Sequence, residues 1–250
     1  MATALVTGAG RGIGRAVAAR LAAAGHRVAL TARSADELAG TAECCGDAET
    51  LVVPADITAP GAVDEVFGQV EAAFGPVEIL VANAGAATSA PLHRTTDEEW
   101  QRILDLNLTA PFRCLRRAVP SMVERGYGRI VVIGSVASKL GMPYVAAYTA
   151  SKHGVLGLVR SAAAELARTG VTVNAVCPAY VDTPMTDRSV EMIVARTGRS
   201  AEDARAWLER QQPIGRLITV DEVADAVMLC VGSAAINGQG INVDGGAVQS

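Results

Sequence analysis

The chain has 250 residues, half of them apolar, 19% charged and only 4% aromatic, with a formal net charge of −4. That length can bury a full core, and a core of Ala, Val, Leu and Ile with few rings suits a sheet covered by helices. The mild acidity and the lack of a basic block argue against nucleic acid or an anionic membrane as partner, and no apolar run reaches the ~20 residues needed to span a bilayer.

Met1 runs within a few residues into Leu5, Val6 and a glycine turn, so no secretory leader is expected. The cysteines (Cys44, Cys45, Cys114, Cys177 and Cys230) are odd in number and lack metal-type spacing. They read as small buried apolar residues in a reducing cytoplasm. The three histidines are scattered, so no metal site is expected.

In chain order, short β-branched runs alternate with longer helical patterns. A strand over Ala4–Thr7 leads into a helix over Gly14–Ala24, and a second strand spans Arg27–Thr31. Strands follow over Thr50–Val53 and Ile79–Ala82, with a helix over Ala62–Phe74 between them. A helix over Asp97–Leu106 precedes strands over Gly128–Ile133 and Thr172–Cys177, which flank a helix over Tyr148–Arg168. A helix over Val220–Val231 and a strand over Gly240–Val243 complete the pattern. Thr96 with Glu99 resembles a capping box, and Asp221 is expected to open a helix before Glu222. Gly25, Gly126 and Gly170 fall where helices should stop. Runs of this kind suit strands buried on both faces. Their alternation with helices predicts one α/β domain over 1–250, a doubly wound parallel sheet of about seven strands with helices on both faces. Between Val181 and Arg216 no strand is predicted. Two amphipathic patterns there, Ser189–Thr197 and Ala201–Gln211, predict a substrate lid at about 184–213.

The first strand runs into T-G-A-G-R-G-I-G, from Thr7 to Gly14. Glycines at 8, 12 and 14 let the backbone turn sharply and approach a pyrophosphate resting on the positive end of the next helix. The second strand ends L-T-A-R, where a cofactor with a free 2′-hydroxyl usually meets an acid. Arg33 follows instead, and Arg11 in the turn is near enough to join it. Two guanidinium groups and no carboxylate suit a 2′-phosphate, so NADP(H) is predicted over NAD(H).

Tyr148 and Lys152 are four residues apart in Y-T-A-S-K, hence on one helix face, with Ser135 upstream. A lysine that close favours the phenolate and is expected to pull the phenol down toward working pH. A phenol that can hand over a proton is what carbonyl reduction needs at the oxygen end.

These pieces together, with A-D at 55–56, N-A-G at 83–85, Asn107 and V-D-T-P at 181–184, resemble the classical short-chain dehydrogenase/reductase family over essentially the whole chain. The resemblance implies a seven-stranded sheet, usually in a homotetramer. It implies that Tyr148 passes a proton to or from the substrate oxygen and that Lys152 assists it and holds the nicotinamide ribose. Ser135 would hydrogen-bond the same oxygen, and Asn107 would kink a helix and hold a proton-relay water. Cofactor contacts are implied at Gly8, Arg11, Gly12, Ile13, Gly14 and Arg33. Further contacts are implied at Asp56 and Ile57 by the adenine, Asn83, Ala84 and Gly85 under its ribose, and Tyr148, Lys152, Pro178, Val181 and Thr183 at the nicotinamide. One departure is Ala179, where the family usually has glycine. If that position needs a positive φ, alanine there costs about 1 kcal/mol.

The predicted lid carries Met185, Met192, Ile193, Val194 and Trp207, which suggests an apolar or elongated acyl substrate. The stretch from Tyr148 to Met185 looks like 3-oxoacyl thioester and polyketide ketoreductases, and the lid like 3-hydroxybutyrate dehydrogenases. A 3-oxoacyl carbonyl is common to both, free or carried as a CoA or acyl-carrier-protein thioester. Arg94, Arg113, Arg116 and Arg117 are the candidates for meeting an acidic carrier. An NAD-dependent 3-hydroxy acid dehydrogenase and a non-catalytic nucleotide sensor are the alternatives. Arg33 disfavours the first, and the full set of Asn107, Ser135, Tyr148 and Lys152 disfavours the second. Helix 148–168, with small residues Gly154, Gly157, Ala162 and Ala163, is expected to pair between subunits.

Overall fold

The computed structural model describes residues 1–249. Seven parallel strands form one sheet: β1 (Thr3–Thr7), β2 (Arg27–Ala32), β3 (Thr50–Pro54), β4 (Ile79–Ala82), β5 (Gly128–Ile133), β6 (Val171–Pro178) and β7 (Gly240–Val243). Their order is β3-β2-β1-β4-β5-β6-β7. The chain builds outward from β1 in one direction and then returns to add β4 on its other side. Val6 pairs with Leu30 of β2 and with Val81 of β4. Ligands of such sheets bind beyond the carboxyl ends of the strands, at the point where the winding reverses.

The helices are α1 (Gly12–Ala23), α2 (Ala35–Cys44), α3 (Ala62–Phe74), α4 (Asp97–Leu104), α5 (Ala110–Arg125), α6 (Ala146–Glu165), α7 (Pro184–Thr197), α8 (Ala201–Arg210) and α9 (Val220–Gly232). Strand side chains alternate between faces, so each face has its own core. Val6, Leu30, Val81 and Val131 pack with Val17, Leu21, Val223 and Val227 of α1 and α9. Leu5, Leu80, Ile130 and Val173 pack with Phe67, Leu115 and Val159 of α3, α5 and α6. Burial on both faces explains why β1, β4, β5 and β6 are mainly apolar rather than alternating with exposed polar residues, Arg129 and Asn174 being among the buried exceptions.

The predicted strands all form. The helix expected over Asp97–Leu106 instead stops at Leu104 and passes through a π-helical turn, Asp105–Thr109, into α5. The widened turn carries Asn107, which is 1% exposed and needs polar partners that a regular helix would not bring to it. Two caps also differ from expectation. Thr96 accepts from the Glu99 amide, but Glu99 does not return the bond. At α9 the capping residue is Thr219, two positions before Asp221, in a reciprocal box with Glu222. The stretch after Val181 carries only an isolated bridge, Val181 to Ile218, and the two expected helices, α7 and α8. They close on an apolar cluster of Val190, Ala204, Leu208 and Leu217. Of the apolar residues that suggested an apolar substrate, Ile193 and Val194 pack on this cluster.

Candidate active site

Gly8 and Gly12 take left-handed backbone angles (φ +63° and +53°), which glycine adopts without strain. A Cβ on Gly14 would lie 2.3 Å from the Gly8 carbonyl oxygen, so α1 packs directly on the turn. Asn83, at the end of β4, locks this arrangement. Its Nδ2 donates to the carbonyls of Thr7 and Gly8 (2.9 and 3.0 Å), and its amide and that of Ala84 both donate to Thr7 Oγ1. Sequence reasoning missed Arg15, which donates to the Gly10 carbonyl (2.6 Å) and to Thr41 Oγ1. The α1 N-terminus has no side-chain cap and no acid in its first turn. Its free amides and helix dipole suit a pyrophosphate, so the residues present fit a dinucleotide.

Beyond β2, Arg33 is exposed and lowers the pKa of Asp56, whose carboxylate mainly accepts from Thr58 (2.6 and 3.0 Å). Ile57 beside it is buried. Arg11 does not stand free next to Arg33. Glu37 of α2 holds it at 2.9 Å, and a Cβ on Gly10 would lie 2.9 Å from Glu37 Oε2. The end of β2 carries no acid, as expected, but the expectation that Arg11 would stand free to join Arg33 is corrected. The acid comes from the next helix, and nothing in the glycine spacing signals it.

At the other end of the crevice α6 brings Tyr148 and Lys152 together, with Lys152 Nζ 5.7 Å from the centre of the Tyr148 ring. The amine is buried and donates to the Ile133 carbonyl at 2.7 Å. Ser135, two residues past β5, is likewise buried, and its hydroxyl lies close enough to the Tyr148 phenol to pull that pKa down. The electrostatics correct a second expectation. Burial pushes the Tyr148 phenol above its ordinary value, with the Ser135 hydroxyl opposing it, and lowers Lys152 from 10.5 to about 8. Desolvation outweighs the mutual attraction that spacing alone suggested.

Asn107 is fully employed. Its side chain exchanges two 2.9 Å hydrogen bonds with the Ala86 backbone and donates to Ser151 Oγ at 3.1 Å. This pins the loop after β4 against α6. A Cβ on Gly85 would lie 3.2 Å from Asn107 Oδ1 and 3.8 Å from Lys152 Nζ.

Pro178 ends β6, and the Ala179 amide donates to the Val243 carbonyl at 3.1 Å. Among the described non-glycine residues only Tyr144 has a positive φ, so Ala179 carries none of the backbone strain considered for it. Val181 is buried, and Thr183 precedes α7 without a side-chain capping bond, its methyl near Gly12, 3.2 Å from where a Cβ would stand. The α7–α8 pair is tied down at two places. Arg196 donates to Ser89 Oγ (3.1 Å) in the loop after β4, and Arg205 pairs with Asp182 (2.9 Å). Among the described residues no cluster of His, Cys, Asp and Glu could hold a metal ion, and no helix is long and apolar enough to cross a membrane.

A dinucleotide turn on β1, with serine, tyrosine and lysine gathered beyond β5 on the same sheet, defines an oxidoreductase, and the chain belongs to the short-chain dehydrogenase/reductase family. The family model described as short chain dehydrogenase matches residues 2–194. The D-beta-hydroxybutyrate dehydrogenase of Rhizobium meliloti (strain 1021) is 36% identical, over 98% of this chain and 97% of its own. The 3-oxoacyl-[acyl-carrier-protein] reductase MabA of Mycobacterium tuberculosis (strain H37Rv) is 41% identical, over 97% and 91%. A crystallised variant of actinorhodin polyketide ketoreductase with NADPH superposes with a TM-score of 0.95 at 38% identity, over 98% and 97%.

The Lys152 shift has a measurable sign. Between pH 8 and its ordinary 10.5 the unfolded lysine holds a proton that the folded one has released, so stability rises with pH through that window. Tyr148, shifted upward, opposes this only above its ordinary value of 10.0. Thermal melts from about pH 7 to about pH 10 should show wild type gaining on Lys152→Met above about pH 8. A constant difference would contradict the burial argument.

Proposed function

We propose that this protein is an NADP(H)-dependent ketoreductase that interconverts a ketone and a secondary alcohol, reducing a 3-oxoacyl thioester or polyketide-type carbonyl. The observation that carries the reading is the meeting of Ser135, Tyr148 and Lys152 at the carboxyl end of β5. A bound nicotinamide dinucleotide supplies the hydride. Ser135 and Tyr148 hold the substrate oxygen, and Tyr148 gives it the phenolic proton. A phenol raised by burial stays protonated through neutral pH, which suits reduction; oxidation would need the phenolate. Lys152, an ammonium below about pH 8, offsets the charge that grows on the phenol as its proton leaves. Asn107 keeps the loop after β4 and α6 in register around that amine, and with its side chain engaged a relay water would bind its backbone carbonyl.

For the cofactor, Gly8, Arg11, Gly12, Ile13 and Gly14 take the pyrophosphate and Arg33 the 2′-phosphate. Asp56 and Ile57 take the adenine, and Asn83, Ala84 and Gly85 its ribose. Tyr148, Lys152, Pro178, Val181 and Thr183 take the nicotinamide end. Arg33 supports NADP(H), since it is exposed beyond β2 and has no salt-bridge partner among the described residues, and the NADPH-bound neighbour agrees with it. Glu37 beside the turn favours the second reading, NAD-dependent oxidation of a 3-hydroxy acid. Relatives named for 3-oxoacyl reduction and for β-hydroxybutyrate share a carbonyl or alcohol β to a carboxyl-type group, which supports the substrate class.

The reading assigns one domain with α7 and α8 as its lid, the cytoplasm, and a homotetramer. On α6 the surface for a partner is narrower than expected. Gly154 faces Leu108 and Ala163 is buried, while Gly157 opens outward and Phe112 of α5 is 42% exposed. Of the carrier candidates, Arg117 is held by Glu71 and Arg113 donates to Thr58, whereas Arg94 is exposed.

Tyr148→Phe should still bind NADPH, with affinity reduced by no more than the roughly 10-fold worth of one hydrogen bond, while kcat for a 3-oxoacyl thioester falls about 10³-fold. Undiminished turnover would overturn the proton-donor role. Arg33→Ala should lower kcat/KM for NADPH about 10- to 100-fold and leave that for NADH within about 2-fold. A wild-type enzyme that prefers NADH would establish the second reading. Light scattering should give four times the chain mass, and a monomer would refute the tetramer.

A further inference from the structure

A second phenol stands at this site. Tyr180 follows Pro178 by two residues, and its backbone is fixed from two sides. The Ala179 amide before it donates to Val243, and its own carbonyl accepts from the Ile218 amide at 2.9 Å. β6 lies against β5 in register Val176 to Ile133, and the Gly134 amide donates to the Val176 carbonyl at 2.7 Å. Tyr180 therefore leaves the sheet beside the segment that carries Ser135. Its ring packs on the α7–α8 cluster of Val190, Ala204, Leu208 and Leu217. The hydroxyl has no hydrogen-bond partner among the described residues, although the side chain is half-buried and burial raises its pKa. The two phenols are close enough that Tyr180 disfavours ionisation of Tyr148.

The hydroxyl is not among the buried polar atoms left without a partner, so it reaches solvent, and it becomes costly only if that solvent is removed. Water satisfies it in the empty crevice, but closure around a substrate expels water. Here the ring already fills a place in the apolar cluster, and phenylalanine would fill it without a polar atom to satisfy. When a substrate displaces that water, the hydroxyl is left to find an acceptor on the ligand, separate from the oxygen that Ser135 and Tyr148 hold yet near it.

We propose that Tyr180 is the specificity-determining residue for a second carbonyl: its hydroxyl donates a hydrogen bond to the carboxyl-type oxygen of a 1,3-dicarbonyl substrate while Ser135 and Tyr148 hold the ketone. This deepens the ketoreductase reading and rests on it. One methylene separates the two carbonyls of such a substrate, so both oxygens fall on one side of a short chain and can face two neighbouring phenols at once. A plain ketone uses only Ser135 and Tyr148 and leaves Tyr180 unsatisfied. Sites built to hydrogen-bond a polar group reject analogues that lack it.

The test compares ethyl acetoacetate, cyclohexanone and ethyl levulinate, whose second carbonyl is one carbon further away, with NADPH and the full-length protein. Wild type should prefer ethyl acetoacetate to both others. Tyr180→Phe should keep the wild-type melting temperature, because the ring stays on the cluster. It should lose about 10-fold of the preference for ethyl acetoacetate over cyclohexanone in kcat/KM, the size of one hydrogen bond in a dry site. An equal fall on both substrates, or no fall, would show that the ring only packs the lid and would overturn the proposal. Wild type that reduces all three equally well would also overturn it, independently of any variant. Wild type inactive on every ketone would sink the ketoreductase reading itself, and this inference with it.

Discussion

The hydrogen bond from Lys152 Nζ to the Ile133 carbonyl, 2.7 Å long and buried, holds the site in one piece. It ties α6 to the last residue of β5, and Ser135 lies two residues beyond that point. A buried amine must find an acceptor or lose its proton. The strand end offers one, and meeting that need brings Tyr148 beside Ser135. Asn107 makes the same kind of demand from the other side. Its buried amide is satisfied only by Ala86 and Ser151, and it draws the loop after β4 against α6. Three segments far apart in sequence thus converge because polar groups were buried and had to be paired.

The same burial sets the ionisation of the site. A phenol and an amine four residues apart invite an argument from their mutual attraction. In the folded chain desolvation is the larger influence on both, and it disfavours the charged form of each. A protonated phenol waits beside an amine poised near the working pH. This arrangement suits giving a proton more than taking one. Tyr180, a second uncharged phenol nearby, pushes the same way.

Much of the fold was legible because the signals were local. β1, β4, β5 and β6 are buried on both faces, and no other element type suits such short β-branched runs between turn residues. The glycines of the first turn were legible for a similar reason, since only that residue tolerates the angles at Gly8 and Gly12 and the contact at Gly14. The end of α4 was not legible. A π-helical turn depends on what Asn107 meets across the loop, which no periodicity records. Glu37 was missed because it reaches the glycine turn from α2, and Arg15 because it folds back locally onto the Gly10 carbonyl while also bonding Thr41 of α2.

The order of residues in the chain determined a parallel α/β sheet, the glycine turn after β1 and the placing of tyrosine and lysine on one helical face, since each follows from backbone geometry over a few residues. Tertiary structure alone decided which charges are paired, which side chains lose water and which hydroxyl is left without a partner. Arg11 is held by Glu37 and Lys152 by Ile133, while the Tyr180 ring packs on the α7–α8 cluster with its hydroxyl unpartnered among the described residues. Desolvation and long-range hydrogen bonds depend on everything that surrounds an atom, and that surrounding exists only once the sheet has closed its two cores.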